Sequence, residues 1–295
     1  MIHKAKKSMG QNFLKSKPAL NMMCEAGEVN NSDTILEIGP GKGVLTEKLL
    51  EKAGKVIAIE KDRELFEFLK EKFGEEIKNK KLILLNEDIL QFEFPSPLGR
   101  AGEGFLIKNL PSFPSKGGEE INSYKIIANI PYNITGSILK KFLSCENQPE
   151  RMVLLVQKEV AERIVTRDGK ESILSLSVKA YGTPKYIMKV HKRFFSPAPK
   201  VDSAIIAINN ISRQNFHTKN EENVFFGLVK TGFAHKRKVL RKNLETKEVG
   251  PSSSAGMLPK IDEIFEKLGI NPNARAEDIK FEKWLLISRL LSTDI

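Results

Sequence analysis

The stretch TILEIGPGKG, residues 34–43, decides the fold of this chain. Its first half is a short apolar run typical of a buried strand, and its second half is a turn with three glycines. Leucines at helical spacing follow, so the turn joins a strand to a helix. Gly39 and Gly41 let the backbone pass close to a ligand, because glycine has no side chain in the way. The stretch therefore predicts the first strand, turn and helix of an α/β domain, with a ligand at the turn.

Strand-like and helix-like segments alternate after this unit. Further strands are predicted at four apolar runs, 55–60, 81–88, 124–132 and 151–157. Helical segments between them are typical of a parallel sheet covered by helices. Two more strands, at 185–195 and 203–208, are expected at the sheet edge. From about residue 213 only helical patterns remain, which predicts an α/β domain at 1–212 and a small all-helical domain at 213–295.

Two segments rich in Gly, Pro and Ser interrupt this pattern, at 95–123 and at 246–259. Connections of this length inside a compact domain are uncommon and are usually functional or disordered. The first has few apolar residues to bury, so we expect a disordered insertion there. A lid or an added RNA-binding arm is the alternative.

Composition narrows the class of protein. The net charge of +11 and the pI of about 9.4 favour a polyanionic partner, although a merely soluble basic protein would share them. Cys24 and Cys145 are the only cysteines, so no disulfide framework is expected, and no Cys/His group has zinc-ligand spacing. The basic N-terminus lacks the apolar core of a secretory signal, and no run has membrane-spanning length. We expect a cytoplasmic protein without a bound metal.

Acidic residues stand at the ends of two predicted strands. Glu60 follows the glycine turn by about twenty residues, where an acidic side chain can hold both hydroxyls of a ribose. Asp88 ends the third strand and is placed to accept from an adenine amine. Either residue alone could be a solvated strand-end carboxylate. In a doubly wound sheet, however, these ends and the glycine turn face one crevice, which favours a nucleoside site.

The fourth predicted strand ends in Asn129, Ile130, Pro131 and Tyr132. A plain strand end needs only a turn residue. A carboxamide, a backbone carbonyl fixed by proline and a flat ring are instead suited to hold a nucleobase by its amine and its face. The sequence therefore predicts a base-binding site beside the nucleoside site.

Further motifs extend along nearly the whole chain. GQNFL at 10–14, EIGPGKG at 37–43 and NIPYN at 129–133 are followed by FSPAPKVDSAI at 195–205. FAHKRKVLRKNL and LGINPNARAEDI lie near the C-terminus. In this order they resemble the bacterial small-subunit rRNA adenine N6,N6-dimethyltransferases, the KsgA family. The resemblance implies a Rossmann-like sheet that uses S-adenosylmethionine, followed by a helical rRNA-binding domain.

The resemblance assigns roles to individual positions. Asn12 and Leu14 match cofactor contacts with Gln11 beside them, although an N-terminal arm packed on the domain is the plainer interpretation. Gly39, Glu60 and Asp88 match the main cofactor contacts, while Asn129 matches a residue that touches both cofactor and base. Asn129 and the Ile130 carbonyl are expected to hold the target amine, and Tyr132 to stack on the base. Phe195 matches a ring on the other side of the base pocket, unless it is a core phenylalanine.

The basic segment HKRKVLRK at 235–242 is predicted to be helical over about two turns. Its cations form either a phosphate-binding face or an ordinary solvated helix surface. They are Lys236, Arg237, Lys238, Arg241 and Lys242.

The resemblance implies that the substrate is a pair of adjacent adenosines in the 3′-terminal hairpin loop of 16S rRNA, presented by an immature small subunit, and we expect a monomeric enzyme. Alternatives are a large-subunit rRNA dimethyltransferase of the macrolide-resistance type, a DNA adenine methylase and a non-catalytic ribosome-assembly factor.

Overall fold

The computed structural model describes residue 6 and residues 10–92, 123–245 and 257–292. Apart from Ser123, the predicted insertion at 95–123 lies outside the described residues. Residues 246–256 of the second Gly/Pro/Ser segment lie outside them too.

The strands are short and the helices between them are of ordinary length. The strands are β1 (Phe13–Leu14), β2 (Thr34–Ile38), β3 (Lys55–Ile59), β4 (Leu82–Leu85), β5 (Lys125–Asn129), β6 (Arg151–Gln157), β7 (Thr183–Val190), β8 (Phe195–Ser196) and β9 (Ser203–Asn209). The helices are α1 (Lys17–Ala26), α2 (Val44–Lys52), α3 (Arg63–Lys72), α4 (Gly74–Lys78), α5 (Thr135–Ser144), α6 (Lys158–Ile164), α7 (Ile173–Lys179), α8 (Lys219–Gly232), α9 (Leu240–Glu245), α10 (Met257–Lys267) and α11 (Phe281–Ser292).

Seven of the strands form one sheet in the order β4-β3-β2-β5-β6-β9-β7. The pairs β4–β3, β3–β2, β2–β5 and β5–β6 are parallel. Leu36 of β2 lies opposite Ile57 of β3 on one side and Ile126 of β5 on the other. Parallel strands buried on both faces need continuous apolar runs, which is why TILEI and KIIAN lack an alternating polar pattern. The Rossmann-like sheet agrees with the predicted fold class.

The position of β9 corrects one prediction. Residues 203–208 were expected at the sheet edge, but β9 lies between β6 and β7. Ala204 through Ile208 are 0% exposed, as a central strand requires. The edge belongs to β7, whose residues are mostly half-buried or exposed.

By its packing the chain divides into two units. One comprises Met1–Val156 and Met188–Ala207, and the other Gln157–Ile187 and Ile208–Ile295. In the second, α8 packs on α7, α9 and α11, and Phe225 and Trp284 are 0% exposed in its core. This grouping differs from the boundary between residues 212 and 213 that the sequence suggests, because α6 and α7 group with the C-terminal helices.

Candidate active site

The carboxyl ends of β2, β3 and β5 and the segment after β4 surround one cavity of about 220 Å³. All residues predicted to contact the cofactor line it, and so do the residues predicted to hold the base except Phe195. They are Gln11, Asn12, Leu14, Gly39, Gly41, Glu60, Asp88, Asn129, Ile130, Pro131 and Tyr132. The parallel strands β2 to β6 bring the strand-end residues of this set together, because their carboxyl ends share one edge of the sheet.

The glycine turn exposes backbone to the cavity at Gly39. Gly39 and Gly41 have φ of +66° and +60°, a left-handed conformation that favours glycine. A Cβ on Gly39 would meet no atom within 4 Å, so the space above this backbone is open. A Cβ on Gly41 would lie 3.0 Å from the Phe13 ring. The turn thus leaves room for a ligand to approach the backbone.

Glu60 is held in one orientation beside this turn. It is 6% exposed, and its Oε2 accepts from the Gly41 amide at 3.1 Å while Oε1 accepts from the Asp62 amide at 2.8 Å. Burial raises the pKa of the Glu60 carboxyl despite these bonds. Each oxygen keeps lone-pair capacity, so the carboxylate can accept from two neighbouring hydroxyls, as a ribose presents them.

Asp88 is an ionised acceptor at the neighbouring strand end. Lys61 Nζ lies 2.7 Å from its Oδ2, and the Leu90 amide donates to Oδ1 at 3.0 Å. The Lys61 bond, above all, lowers the pKa of the Asp88 carboxyl. An ionised carboxylate can only accept hydrogen bonds, which suits contact with the N–H groups of an exocyclic amine.

Glu37 is a site residue that the sequence analysis missed. It lies in β2, lines the cavity and is only 1% exposed. Burial, with a smaller contribution from the neighbouring Glu60 carboxylate, raises the pKa of its carboxyl to about 8. Its Oε2 is buried without a hydrogen-bond partner among the described residues. A carboxyl inside the apolar run TILEI was the available signal, since buried acidic residues are rare.

These features fit S-adenosylmethionine. The open glycine turn suits a close backbone approach, and the acceptors of Glu60 and Asp88 suit a nucleoside. The buried carboxyl of Glu37 adds one more polar group to the cavity wall. Among the residues described, no group of three or more His, Cys, Asp or Glu side chains is placed to hold a metal ion.

The base-binding motif begins where β5 ends. Asn129 donates from Nδ2 to the Asn12 carbonyl at 3.2 Å, which leaves its Oδ1 as an acceptor. Ile130 is 2% exposed, and Pro131, with φ of −58°, precedes the short 3₁₀ helix Tyr132–Ile134. The proline thus fixes the backbone between the amide and the ring.

Tyr132 is anchored by a residue that the sequence analysis did not single out. The Tyr132 hydroxyl lies 2.6 Å from the Ser203 Oγ, and Ser203 is 0% exposed at the start of β9. The two are far apart in sequence, so only the fold pairs them. The bond holds the hydroxyl end of the ring in place.

Phe195 does not line the cavity. It is 4% exposed in β8, which pairs with β1, and its register partner is Leu14. The structure therefore places it in the core beside the N-terminal arm, and its role at the base stays a prediction.

The structure corrects the predicted helix at 235–242. Helix α8 ends at Gly232, α9 begins at Leu240, and the residues between form turns. The buried Asn243 side chain donates to the carbonyls of Gly232 at 2.6 Å and of His235 at 3.1 Å. These bonds give hydrogen-bond partners to carbonyl groups at and after the C-terminal end of α8, and they stabilise the turns that follow it.

The cations of this segment differ in what surrounds them. Lys236, Arg237 and Lys238, hereafter the basic turn, are exposed, and so is Lys242. Arg241 instead donates from Nε and Nη2 to both Asp262 oxygens, at 2.5 and 2.7 Å. Its charge is therefore already paired with a carboxylate, whereas a phosphate-binding role requires a cation that is available to the phosphate.

A groove of the helical unit also carries cations. Lys236 lines it together with three cations from the segment containing α6, and each of those three is paired with a glutamate. They are Arg163, Arg167 and Lys170. The basic turn thus offers the stronger candidate surface for phosphates. No helix in the described part of the chain is long and apolar enough to cross a membrane.

Comparison with known proteins gives a consistent result. A sequence profile described as ribosomal RNA adenine dimethylase matches residues 2–293. A protein named ribosomal RNA small subunit methyltransferase A from Dehalococcoides mccartyi is 40% identical, covering 95% of this chain and 86% of its own. One of the same name from Nostoc sp. is 37% identical, covering 98% of each chain.

Solved structures share the fold. The 23S rRNA methyltransferase ErmE aligns with a TM-score of 0.72 at 23% identity, covering 95% of this chain and 99% of its own. A dimethyladenosine transferase from Plasmodium falciparum aligns with a TM-score of 0.72 at 26% identity, covering 94% and 97%.

Proposed function

The chain belongs to the ribosomal RNA adenine dimethylase family and is an S-adenosylmethionine-dependent methyltransferase, and from this premise we propose that it dimethylates the N6 amines of two adjacent adenosines in the 3′-terminal hairpin loop of 16S rRNA. The relatives named as small-subunit enzymes support this choice of ribosomal subunit. The observation that carries the chemistry is Asn129, whose amide donates to Asn12 and so keeps Oδ1 as an acceptor at the cavity.

The substrate is tested by methyl transfer from labelled S-adenosylmethionine to immature small subunits, with the modified positions mapped. We expect label at two adjacent adenosines near the 3′ end of the small-subunit rRNA. Immature large subunits are the control. Label only in large-subunit rRNA would favour the macrolide-resistance activity, and no label in either would favour a non-catalytic assembly factor.

The residues at the end of β5 act on the target amine. An exocyclic adenine amine is a poor nucleophile because its lone pair is delocalised into the ring. Asn129 Oδ1 and the Ile130 carbonyl accept hydrogen bonds from its two N–H groups. These bonds favour a more tetrahedral nitrogen whose lone pair points at the methyl group to be transferred. S-adenosylmethionine supplies an electrophilic methyl on a sulfonium, so positioning and electrostatics carry most of the acceleration.

The same acceptors account for two transfers to one amine. A monomethylated amine keeps one N–H group, which can donate again to one of these acceptors. The dimethylated product has none, which leaves Asn129 and the Ile130 carbonyl without a donor. Buried polar groups without partners cost roughly 1–3 kcal/mol each, so this loss favours product release.

Tyr132 holds the base by stacking, and base–aromatic stacking contributes about 1–3 kcal/mol. If Ser203 fixes the ring, Tyr132→Phe and Ser203→Ala should each slow methyl transfer by roughly two- to tenfold, the range of one net hydrogen bond. The double variant should be no slower than the slower single variant. The measurement is single-turnover transfer at saturating cofactor, with cofactor affinity unchanged as the control. Additive losses would mean that the two side chains act independently.

The exposed basic turn is proposed to contact rRNA phosphates, within a helical rRNA-binding domain at 213–295 that follows a catalytic domain at 1–212. Lys242 is a further exposed candidate, whereas Arg241 is held by Asp262. We also propose a monomeric, cytoplasmic enzyme that acts on the immature small subunit.

Changing Lys236, Arg237 and Lys238 together to Gln should weaken rRNA binding and flatten its salt dependence. Each lost phosphate contact reduces the slope of log K against log salt by about 0.7–0.9, because fewer counterions are released. Filter binding at several salt concentrations measures this slope.

The matched control changes three exposed lysines of the other unit to Gln, which alters net charge equally. They are Lys70, Lys78 and Lys80. Equal slopes for the two triple variants would show that general charge, and not the basic turn, binds the RNA.

A further inference from the structure

Asp62 lies two residues beyond Glu60 and is almost completely buried. It is 2% exposed, and it caps α3 by accepting from the Glu64 amide at 3.1 Å. Helix capping alone explains one contact of this carboxylate. The other contacts of Asp62, made by its carboxylate and by its backbone amide, lead to the cofactor cavity.

The first of them joins Asp62 to the N-terminal arm, here Lys6 and residues 10–14. Gln11 donates from Nε2 to Asp62 Oδ2 at 2.8 Å, and Lys6 donates from Nζ to Oδ1 at 2.8 Å. The Lys6 amide also donates to Gln11 Oε1 at 2.8 Å. Both ends of the Gln11 amide are thus engaged within the protein.

The second contact is made by the Asp62 backbone and joins it to Glu60, the residue predicted to hold the ribose. The Asp62 amide donates to Glu60 Oε1 at 2.8 Å and fixes one oxygen of that carboxylate. The arm meanwhile lines the same cavity, and its Asn12 carbonyl accepts from Asn129. One buried residue therefore links the arm, Glu60 and, through the arm, Asn129.

Resting on the proposed function, we propose that Asp62 is a positioning residue for S-adenosylmethionine: its carboxylate holds the arm against the cavity while its backbone amide orients Glu60, and Gln11 acts through the carboxylate. Burial disfavours a charge at Asp62, but the Lys6 and Gln11 bonds lower the pKa of its carboxyl overall. The ionised form accepts at both oxygens, which this arrangement requires.

Asp62→Asn separates this role from helix capping, because asparagine is also a good N-cap. The asparagine amide has one acceptor oxygen, so either Gln11 Nε2 or Lys6 Nζ must face an NH₂ group instead of an acceptor. We expect S-adenosylhomocysteine to bind roughly tenfold more weakly by calorimetry, the range of a charged hydrogen bond. The kcat at saturating cofactor should stay near that of the wild type, and the fold should persist.

Two further variants complete the test. Gln11→Met removes the other half of the contact, so the double variant should bind no worse than the weaker single variant. Glu64→Gln is the matched control, because Glu64 contacts Lys6 at 3.0 Å but is 67% exposed and outside the cavity. In the ligand complex, amide hydrogen exchange at residues 10–14 should be faster in Asp62→Asn than in the wild type.

Wild-type affinity in Asp62→Asn, losses that add with Gln11→Met, or an equal loss in Glu64→Gln would each overturn the inference. These outcomes assume that the wild type binds S-adenosylhomocysteine. If the wild type does not bind it, the proposed function fails instead.

Discussion

Asn129→Ala is expected to slow single-turnover methyl transfer by roughly 100- to 1,000-fold at saturating cofactor. The substitution removes Oδ1, the acceptor proposed for the target amine. It also removes the Nδ2 bond to the Asn12 carbonyl, 3.2 Å in length. Loss of one preorganised polar contact at a reacting group typically raises the barrier by about 2.7–4 kcal/mol. The fold should persist, because Asn129 is only partly buried at the end of β5.

The matched control is Asn133→Ala. Asn133 lines the same cavity four residues further along but is exposed, and it carries the same amide. We expect its rate to stay within a fewfold of the wild type. A rate within about fivefold of wild type for Asn129→Ala, or equal slowing in Asn133→Ala, would contradict the role assigned to Asn129.

The sequence predicted the sheet and the cavity because both depend on local patterns and general topology. TILEI was expected at 34–38 and β2 is Thr34–Ile38. Once the strands are parallel, their carboxyl ends must share an edge, so Glu60, Asp88 and Asn129 meet without further information. The N-terminal arm joins the same cavity, but that placement came from the motif resemblance.

What the sequence did not reveal depends on pairing between distant residues. Ser203 anchors Tyr132 only because β9 lies inside the sheet. An apolar run in the sequence predicts a strand but does not indicate where that strand lies in the sheet. The segment that contains the basic turn has helical composition, yet Asn243 binds the carbonyls of Gly232 and His235 just before it, and the chain turns there instead. Arg241 looks like its neighbours in sequence, but Asp262 on another helix pairs with it.

Glu60→Gln is expected to weaken S-adenosylmethionine binding by roughly 10- to 150-fold, the range for hydrogen bonds to a charged group. Both Glu60 oxygens accept from backbone amides, at 3.1 Å from Gly41 and 2.8 Å from Asp62. Glutamine has only one acceptor oxygen, so its NH₂ group must face one of these donors and turn the side chain from its position. Calorimetry with cofactor measures the loss, and filter binding should show unchanged affinity for rRNA.

The matched control is Glu87→Gln, which makes the same change of charge at an exposed residue of the same cavity. The cofactor affinity of this variant should stay within about twofold of wild type, since a solvated charge contributes little.

The pH dependence of cofactor binding adds a second readout. Burial raises the pKa of Glu60, and the proton must leave before both oxygens can accept from the ribose. Wild-type affinity should therefore rise with pH through that raised pKa, and Glu60→Gln should lose this step. Equal weakening in Glu87→Gln, or an unchanged pH profile in Glu60→Gln, would leave Glu60 as a structural carboxylate of the glycine turn rather than a ligand of the ribose.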